Sequence, residues 1–368
     1  MALNLTNCKL LLNAESFGFG PTAAIASFFP LLKGQVKRIS YIGDGHSLDL
    51  QKPLDYDAIY DSSDMSDEAL EETLKQYDVF LTATDFIMAE KAKAAGLRVI
   101  VYDPLTWFWK DMPNAVKNCD LYLSQDFIGV GALLEGYRQK MEGQAIAVPP
   151  ILQSKMPKRD GQHVLLSFGG LMNPFWSEGD AIAYADAMYK AVAETLPEGE
   201  ELIVCASEKI AEALPHMNAQ SYPREEMLKI LEGSKYAFMT SGLGNIYDAA
   251  QFDLPTVWLP PTNDSQGQQL GMIASEGYVD VALTWHDLLG VPELDYRQEQ
   301  AEVIADIVNC VGRLPTVKLD FNKVLEQVSA QDSSRAKGLI DVYGTSGDEA
   351  VASAVLSFIG KGGLVCSA

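Results

Sequence analysis

The sequence predicts an α/β protein with two Rossmann-like, doubly wound parallel-sheet domains that face each other across a cleft. Short apolar runs of strand length alternate with amphipathic helical stretches, which is typical of βα units and parallel sheets. The alternation stops at a proline-rich segment over residues 148–162 and then restarts. A chain of 368 residues also suits two domains of similar size better than one.

The first domain is predicted over residues 1–147. Its strand candidates are "CKLLLNA", "VKRISYI", "YDAIYD", "DVFLTA", "LRVIVYD", "CDLYLS" and "QAIAV". Amphipathic helices are expected between several of them, at 21–32 and 85–95. Pro21 suits the first helical position because its missing N–H would have no intrahelical partner there.

Residues 148–162, "VPPILQSKMPKRDGQ", are predicted to form a linker, because prolines and a charged cluster interrupt the pattern. The second domain is predicted over 163–340, with a helix at 180–196 and strands in "HVLLSFGG", "ELIVCAS", "YAFMTSG", "PTVWLPP" and "VDVALTW". Residues 341–368 are expected to form a C-terminal helix that packs back on the first domain. Ligands of doubly wound sheets bind beyond the carboxyl ends of the strands, so we expect the site in the cleft.

Composition narrows the function classes. The chain has 28 Lys and Arg against 50 Asp and Glu, a net charge of -22, which repels nucleic-acid phosphates and anionic membranes. The sequence shows no apolar run long enough to span a membrane and no signal-peptide pattern, so we expect a cytoplasmic protein. The five cysteines are scattered and without CxxC spacing, which indicates reduced thiols.

Two loops that follow predicted strands of the second domain are rich in glycine. Gly169 and Gly170 follow the first strand, and paired glycines allow backbone N–H groups to approach a phosphate closely, although a tight turn explains them too. Gly242 and Gly244 lead from the run "YAFM" into a helix that carries Asp248. That acid can accept hydrogen bonds from a ribose diol, and the alternative is a solvated acid that favours a helix N-terminus.

A third loop, "WLPPTNDSQGQQL", is dense in amides. Amides both donate to and accept from sugar hydroxyls, so the loop suits a polyhydroxylated ligand, and a polar surface loop is the alternative. Its polar side chains are Asn263, Asp264, Ser265, Gln266, Gln268 and Gln269.

Together the three loops resemble the C-terminal domain of nucleotide-sugar glycosyltransferases with the two-Rossmann, or GT-B, fold. The family that includes the bacterial peptidoglycan N-acetylglucosaminyltransferase is the most similar, over residues from about 160 to 285. The resemblance implies that Ser241, Gly242 and Gly244 hold the diphosphate and that Asp248 binds the ribose hydroxyls.

The same resemblance implies contacts to the rest of the donor. The pair Gln268–Gln269, near Asp264, would contact the transferred sugar. Tyr222–Pro223, expected to end a strand, would meet the nucleobase. The donor would be a UDP-sugar, with no separate cofactor and no bound metal.

The loop "AESFGFGPTAA" of the first domain contains Gly18, Phe19 and Gly20, and in the family this loop closes over the acceptor and the diphosphate. The histidine that the family has in this loop is absent here. An inverting transfer needs a group that takes the acceptor proton, so acids at predicted strand ends become candidates. Glu15 is the first choice, followed by Asp85 and Asp103.

The run "YDPLTWFW" places Trp107 just past a strand. Aromatic planes stack on sugars or flat heterocycles, and a packed interface explains them equally well. The first domain also resembles, more weakly, the cytosylglucuronate synthases, which join a uronic acid to a base.

The sequence therefore predicts a hexosyl- or glycuronosyltransferase that joins a sugar to a small-molecule acceptor, and a homodimer is compatible with it. An NAD-dependent oxidoreductase is one alternative, because Gly18, Gly20 and Ala23 fit G-x-G-x-x-A and Asp44 follows at the ribose-binding distance. A non-catalytic nucleotide-sugar-binding or scaffold protein is another, and a nucleotide-sugar epimerase or hydrolase is a third. The sequence has neither a P-loop nor a GxSxG motif.

Overall fold

The computed structural model describes residues 7–16, 19–152, 161–169, 171 and 176–361. The chain divides into two compact units. Unit 1 is formed by residues 1–154 and 343–368, and unit 2 by residues 155–342. Each unit has its own parallel sheet and its own hydrophobic core.

Unit 1 contains a parallel sheet with helices between its strands. Within the described residues its strands are β1 (Lys9–Ala14), β2 (Arg38–Gly43), β3 (Ile59–Asp61), β4 (Val79–Ala83), β5 (Arg98–Asp103), β6 (Leu121–Gln125) and β7 (Gln144–Val148). The helices between them are α1 (Gly20–Leu32), α2 (Gly45–Gln51), α3 (Asp67–Leu74), α4 (Phe86–Ala94), α5 (Asn114–Asn118) and α6 (Val130–Arg138). Every strand candidate of the first domain is thus confirmed.

Unit 2 repeats the pattern with a smaller sheet. The strands among its described residues are β8 (His163–Ser167), β9 (Leu202–Cys205), β10 (Ser234–Met239), β11 (Thr256–Trp258) and β12 (Val281–Ala282). Its helices are α7 (Glu178–Thr195), α8 (Glu208–Ala213), α9 (Arg224–Glu232), α10 (Leu243–Gln251), α11 (Asp264–Ser275), α12 (Trp285–Leu289), α13 (Gln300–Arg313), α14 (Asn322–Ser329) and α15 (Lys337–Tyr343). The last helix of the chain is α16 (Gly347–Lys361), which belongs to unit 1.

Both sheets are doubly wound. The order in unit 1 is β3-β2-β1-β4-β5-β6-β7, so the winding reverses between β1 and β4, where Ala14 pairs with Ala83 at the carboxyl ends. The order in unit 2 is β12-β11-β10-β8-β9, and the reversal lies between β8 and β10, where Ser167 pairs with Met239. Ligands of such sheets bind outside the carboxyl ends of the strands at these reversals.

The strands of unit 1 form where apolar residues run continuously, because helices cover both faces of a parallel sheet. Helix α16 packs against α1 and against β6 and β7. Its buried residues Val351, Val355 and Ile359 are four apart and therefore share one helical face. Arg98 at the start of β5 donates from Nη2 to the Phe358 carbonyl at 2.9 Å. The Arg98 guanidinium also lies 3.8 Å from the centre of the Phe358 ring.

One strand prediction was wrong. The segment expected to end a strand at Tyr222–Pro223 makes a single parallel bridge, between Gln220 and Cys205. Pro223 is the N-cap of α9, and its ring removes the N–H that a longer strand would need there.

Within the described part of the chain, every helix is too short or too polar to cross a lipid bilayer.

Candidate functional site

The loops after β8 and β10 pack together at the reversal point of unit 2. The Thr240 backbone N–H donates to the Ser167 carbonyl at 3.1 Å, and its Oγ1 donates to the Phe168 carbonyl at 3.1 Å. Asn245 on α10 donates from Nδ2 to the Thr240 carbonyl at 2.9 Å. Gly169 has a φ of +58°, which explains the glycine as a turn residue, while Gly170 lies outside the described residues.

The start of α10 is open on its N-terminal side. Gly242 is the N-cap, with a φ of -68° and no side-chain cap hydrogen bond among the described residues. A Cβ placed on Gly242 or Gly244 would meet no described atom within 4 Å, and neither glycine has a positive φ. Glycine is therefore not required here by the backbone conformation or by packing within the described protein. It would be required if a ligand came close to the first-turn N–H groups.

The start of α11 differs because it is capped. Asn263 accepts from the Gln266 backbone N–H through Oδ1 at 2.8 Å, which satisfies one of the free N–H groups of the first turn. Ser241 is fully buried and donates from Oγ to the Gln266 carbonyl at 3.2 Å, which ties the two helix starts together. Of these two helices, α10 is therefore the one whose first-turn N–H groups no described side chain caps, so they can donate to an anion.

Two buried aromatic side chains fix the loop between β11 and α11. The Tyr184 hydroxyl donates to the Pro260 carbonyl at 2.8 Å, and Trp285 Nε1 donates to the Pro261 carbonyl at 3.0 Å. Buried carbonyl groups need a donor, and here side chains from α7 and α12 supply it. The start of α11 is thereby held by the core of unit 2.

Of the glutamine pair predicted to contact the sugar, Gln268 is hydrogen-bonded to the protein and Gln269 is buried. Gln268 donates from Nε2 to the Tyr296 carbonyl at 2.8 Å, and the Tyr296 ring packs so closely on Gly267 that a Cβ there would lie 2.1 Å away. Gln269 is 3% exposed, and its Oε1 has no hydrogen-bond partner among the described residues. Asp264 is 6% exposed, and its Oδ1 accepts from the Ser265 N–H at 2.9 Å. The amide nitrogen of Gln268 thus holds the loop before α13, and its contact with the sugar stays a prediction.

Asp248 is not a free carboxylate in this structure. Arg224 at the start of α9 donates from Nη1 to Oδ2 at 2.7 Å and from Nη2 to Oδ1 at 2.5 Å. The Asp248 side chain is 7% exposed, against 55% for that of Arg224. The alternative of a solvated acid is therefore wrong, and any ribose hydroxyl bound at Asp248 must share the carboxylate with Arg224.

Tyr222 lies at the same end of the sheet as Asp248, and Cys205 at the end of β9 connects them. Burial raises the pKa of the Cys205 thiol, hydrogen bonds with the Ser167 side chain and the Tyr222 backbone oppose this, and the charge of Asp248 raises the pKa further. The residues predicted to meet nucleobase and ribose are thus gathered around one strand end.

The reversal point of unit 1 carries acids. Glu15 follows β1 directly and donates its backbone N–H to the Ala83 carbonyl of β4 at 2.9 Å. Asp44 follows β2, and Asp85 follows β4 after one residue. Burial raises the pKa of the Glu15 carboxyl, the charges of Asp85 and Asp44 raise it further, and a hydrogen bond from the Ser16 backbone opposes them. A carboxylate with a raised pKa suits the role of a general base near neutral pH.

Asp85 is held in place more firmly than Glu15. It is the N-cap of α4 and accepts from the Met88 N–H through Oδ1 at 2.9 Å. Burial raises its pKa, while hydrogen bonds from the Met88 backbone and the Asn13 side chain lower it. The preceding Thr84 has a φ of +60°, a strained conformation for a β-branched residue and one that clusters at functional sites.

Asn13 forms a buried polar network beneath these acids. Its Nδ2 donates to the Ile42 carbonyl of β2 at 3.0 Å, and its Oδ1 accepts from Thr82 Oγ1 of β4 at 2.6 Å. Asn13 lies on β1, so its amide links three neighbouring strands. Such a satisfied network fixes the geometry of the carboxylates around it.

Asp103, the third candidate base, is held entirely by the protein. Its carboxylate is fully buried and accepts from the Leu105 N–H, from Trp109 Nε1 and from the Tyr122 hydroxyl, each at 2.7 Å. Burial raises its pKa, and these three hydrogen bonds oppose the shift. In this structure Asp103 organises the loop after β5, and its role as a base stays a prediction.

Trp107 belongs to a chain of aromatic rings that follows β4, β5 and β6. Consecutive ring centres lie 5.2 to 6.3 Å apart through Phe86, Trp109, Phe108, Trp107, Phe127 and Tyr343. Trp107 Nε1 is buried without a hydrogen-bond partner among the described residues. These six rings form an aromatic flank beside the strand ends of unit 1 that carry the acids.

In the predicted acceptor loop, Phe19 is 45% exposed and Gly20 is the first residue of α1. Gly18 lies outside the described residues.

Sequence reasoning missed three residues that organise the site. Asn13 is a polar residue in the apolar strand "LLLNA", and this interruption is the signal that could have identified it. Thr84 gave no local signal because it acts through its backbone angle. Arg224 gave none because its partner, Asp248, lies 24 residues away. The sequence gives Asp44 a role only in the NAD alternative.

Among the described residues, no group of three or more His, Cys, Asp or Glu side chains is arranged to hold a metal ion.

No protein-family model and no curated protein matches the sequence. Similar solved structures include MurG of Acinetobacter baumannii, with a TM-score of 0.56 and 11% identity over 95% of this chain and 99% of that one. CalG4, the calicheamicin glycosyltransferase, has a TM-score of 0.53 and 13% identity over 97% and 100% of the two chains. UGT89C1 of Arabidopsis thaliana, complexed with UDP, has a TM-score of 0.53 and 12% identity over 91% and 98%. The predicted resemblance is confirmed at the level of the fold: this chain has the two-domain, Rossmann-like GT-B fold of nucleotide-sugar glycosyltransferases.

Proposed function

We propose that this protein is a glycosyltransferase that moves a hexosyl or glycuronosyl group from a UDP-sugar to a small-molecule acceptor, with inversion. The observation that carries the proposal is the start of α10. It lies at the reversal point of unit 2, its first-turn N–H groups lack a side-chain cap, and it has two glycines that nothing among the described residues requires.

The diphosphate would bind at the start of α10, beside Ser241 and the turn at Gly169. Backbone N–H groups and the positive end of a helix dipole favour an anion there. The leaving diphosphate takes up charge in the transition state, so the same donors would stabilise the reaction. Local donors matter in a chain whose net charge is -22, because the overall field repels an anionic donor.

The nucleoside would bind beyond β9. Asp248 would accept the ribose hydroxyls, and the Tyr222 backbone would meet the base. UDP is the natural first choice, because UGT89C1 was solved with UDP and shares this fold. Asp264 and Gln269 stay the candidates for sugar contacts, since the unpartnered Gln269 Oε1 would be satisfied by a hydroxyl donor.

The acceptor would bind to unit 1. Its hydroxyl oxygen attacks the anomeric carbon while the Glu15 carboxylate takes the hydroxyl proton. The bond from that carbon to the diphosphate oxygen breaks, and UDP leaves with the bonding electrons. The raised pKa of Glu15 favours proton uptake at this position, and the aromatic flank offers faces on which a flat acceptor can stack.

A thermal-shift panel with UDP, dTDP, GDP, ADP and NAD tests the donor class. A ligand at a hundred times its Kd stabilises a fold by about 2.7 kcal/mol, which is a visible change in Tm. We expect a response to UDP that Asp248→Ala weakens by ~1–3 kcal/mol in binding free energy. A response to NAD alone would favour the oxidoreductase, and no response at all would favour the scaffold protein.

A further inference from the structure

The ion pair between Arg224 and Asp248 carries an inference about donor selection, and it rests on the proposed function. We propose that Arg224 is a positioning residue that orients the Asp248 carboxylate toward both hydroxyls of a ribose. The site would then select ribonucleotides over 2′-deoxyribonucleotides through a residue that does not itself contact the sugar.

The geometry fixes the carboxylate plane. The two terminal nitrogens of Arg224 each engage a different oxygen of Asp248, at 2.7 and 2.5 Å. A guanidinium is planar and its donors are rigidly spaced, so this two-point contact holds the carboxylate against rotation. A lysine could supply the charge but only a single point of contact.

The Asp248 carboxylate has enough acceptor sites to bind a diol in addition to Arg224. An ionised carboxyl group offers about four lone-pair sites on its two oxygens, and Arg224 occupies one on each. No other side chain among the described residues donates to Asp248. One site therefore remains on each oxygen, which matches the two neighbouring hydroxyls of a ribose and leaves one site unused with a 2′-deoxyribose.

Burial makes the pairing necessary. A buried carboxylate without a charged partner is strongly disfavoured, and the Asp248 side chain is 93% buried. The Arg224 guanidinium supplies that partner, and because the Arg224 side chain is half exposed, it does so without filling the core.

The experiment compares Kd values for UDP and 2′-deoxy-UDP, measured by calorimetry on the full chain. For the wild type we expect a preference for UDP of about 10- to 100-fold, the range of one charge-assisted hydrogen bond. Arg224→Lys is expected to reduce the preference to less than about 3-fold, since it keeps the charge and loses the two-point contact.

Arg313→Lys is the matched control. Arg313 ends α13 and donates to the Leu289 carbonyl at 3.1 Å, so its substitution is expected to leave the preference for UDP unchanged.

Two further outcomes separate positioning from other roles. If Arg224 acts through Asp248, adding Arg224→Lys to Asp248→Asn changes the preference no further. A further loss in the double variant would mean that Arg224 contacts the nucleotide itself, which overturns the inference. Equal weakening of both ligands by Arg224→Lys would show a merely structural role and overturn it too, while the proposed function would stand. A wild type that binds neither nucleotide would overturn both.

Discussion

The carboxyl ends of the two sheets differ in chemistry, although each has its candidate site where the winding reverses. In unit 1 this edge carries Glu15, Asp44 and Asp85 beside a chain of aromatic rings. In unit 2 it carries the backbone donors of α10 and an arginine held by Asp248. The fold thus decides where a ligand can bind, and the loop residues decide which ligand it is.

Under the proposed function, the difference corresponds to the two partners of a sugar transfer. The edge of unit 1 can take up a proton, since burial and the charges of Asp85 and Asp44 raise the pKa of Glu15. The edge of unit 2 can hold an anion, since its donors are neutral N–H groups that need no change in protonation. Each edge can therefore be altered separately.

The largest expected effect comes from Glu15→Gln in unit 1. Loss of a general base is expected to lower kcat by a factor of ~10²–10⁴. The affinity for UDP is expected to stay unchanged, because the donor edge keeps all its groups. Steady-state kinetics and calorimetry on the same preparation check both statements, with the exposed Glu68→Gln as a control that leaves kcat as it is. Normal turnover in Glu15→Gln would transfer the role to Asp85.

A smaller effect is expected from Gly244→Ala in unit 2. Alanine favours a helix over glycine by ~0.5–1 kcal/mol, and the new Cβ meets no described atom within 4 Å, so we expect a more stable protein. The methyl group would nevertheless project where the diphosphate approaches, and we expect weaker UDP binding.

Gly271→Ala is the matched control, since Gly271 also lies in a helix with open space around it. It should stabilise the fold without any change in UDP affinity. Equal UDP affinity in the two variants would contradict the assignment of α10 to the diphosphate.

The smallest effect concerns pH. The pKa of Glu15 lies above its ordinary 4.5, chiefly through burial and then through Asp85 and Asp44, so the acid limb of the pH–rate profile should lie above that value. Asp85→Asn keeps the cap of α4 but removes a charge, and it should move the limb to lower pH. The exposed Asp67→Asn should not move it.

The same shift affects stability. The folded state binds the Glu15 proton more tightly than the unfolded state does. Proton binding by Glu15 therefore stabilises the fold fully below the ordinary pKa of a glutamate, and this stabilisation is lost as pH rises through the pKa of Glu15 in the folded state. Relative to wild type, Glu15→Gln should therefore gain stability as pH rises through that window. Denaturant titrations across it test the sign.

The fold was predictable because buried parallel strands appear as continuous apolar runs, and "KLLLNA" and "RVIVYD" are such runs. The positions of Glu15 and Asp85 at strand ends were predictable for the same reason, since Glu15 directly follows such a run and Asp85 follows one after Thr84. The state of Asp103 was not, because burial by Trp109 and Tyr122 is a tertiary property. Nor could the sequence show that Gln268 faces Tyr296, which depends on what packs around α11.

Helix α16 has a consequence for the way the chain folds during synthesis. Its contact between Arg98 and Phe358 spans 260 positions, with all of unit 2 between the two partners. Unit 2 is continuous in sequence and can therefore fold as soon as it has left the ribosome. The apolar face of α1 must wait for α16, so the hydrophobic core of unit 1 is the last to be completed, and such long-range closure is slow.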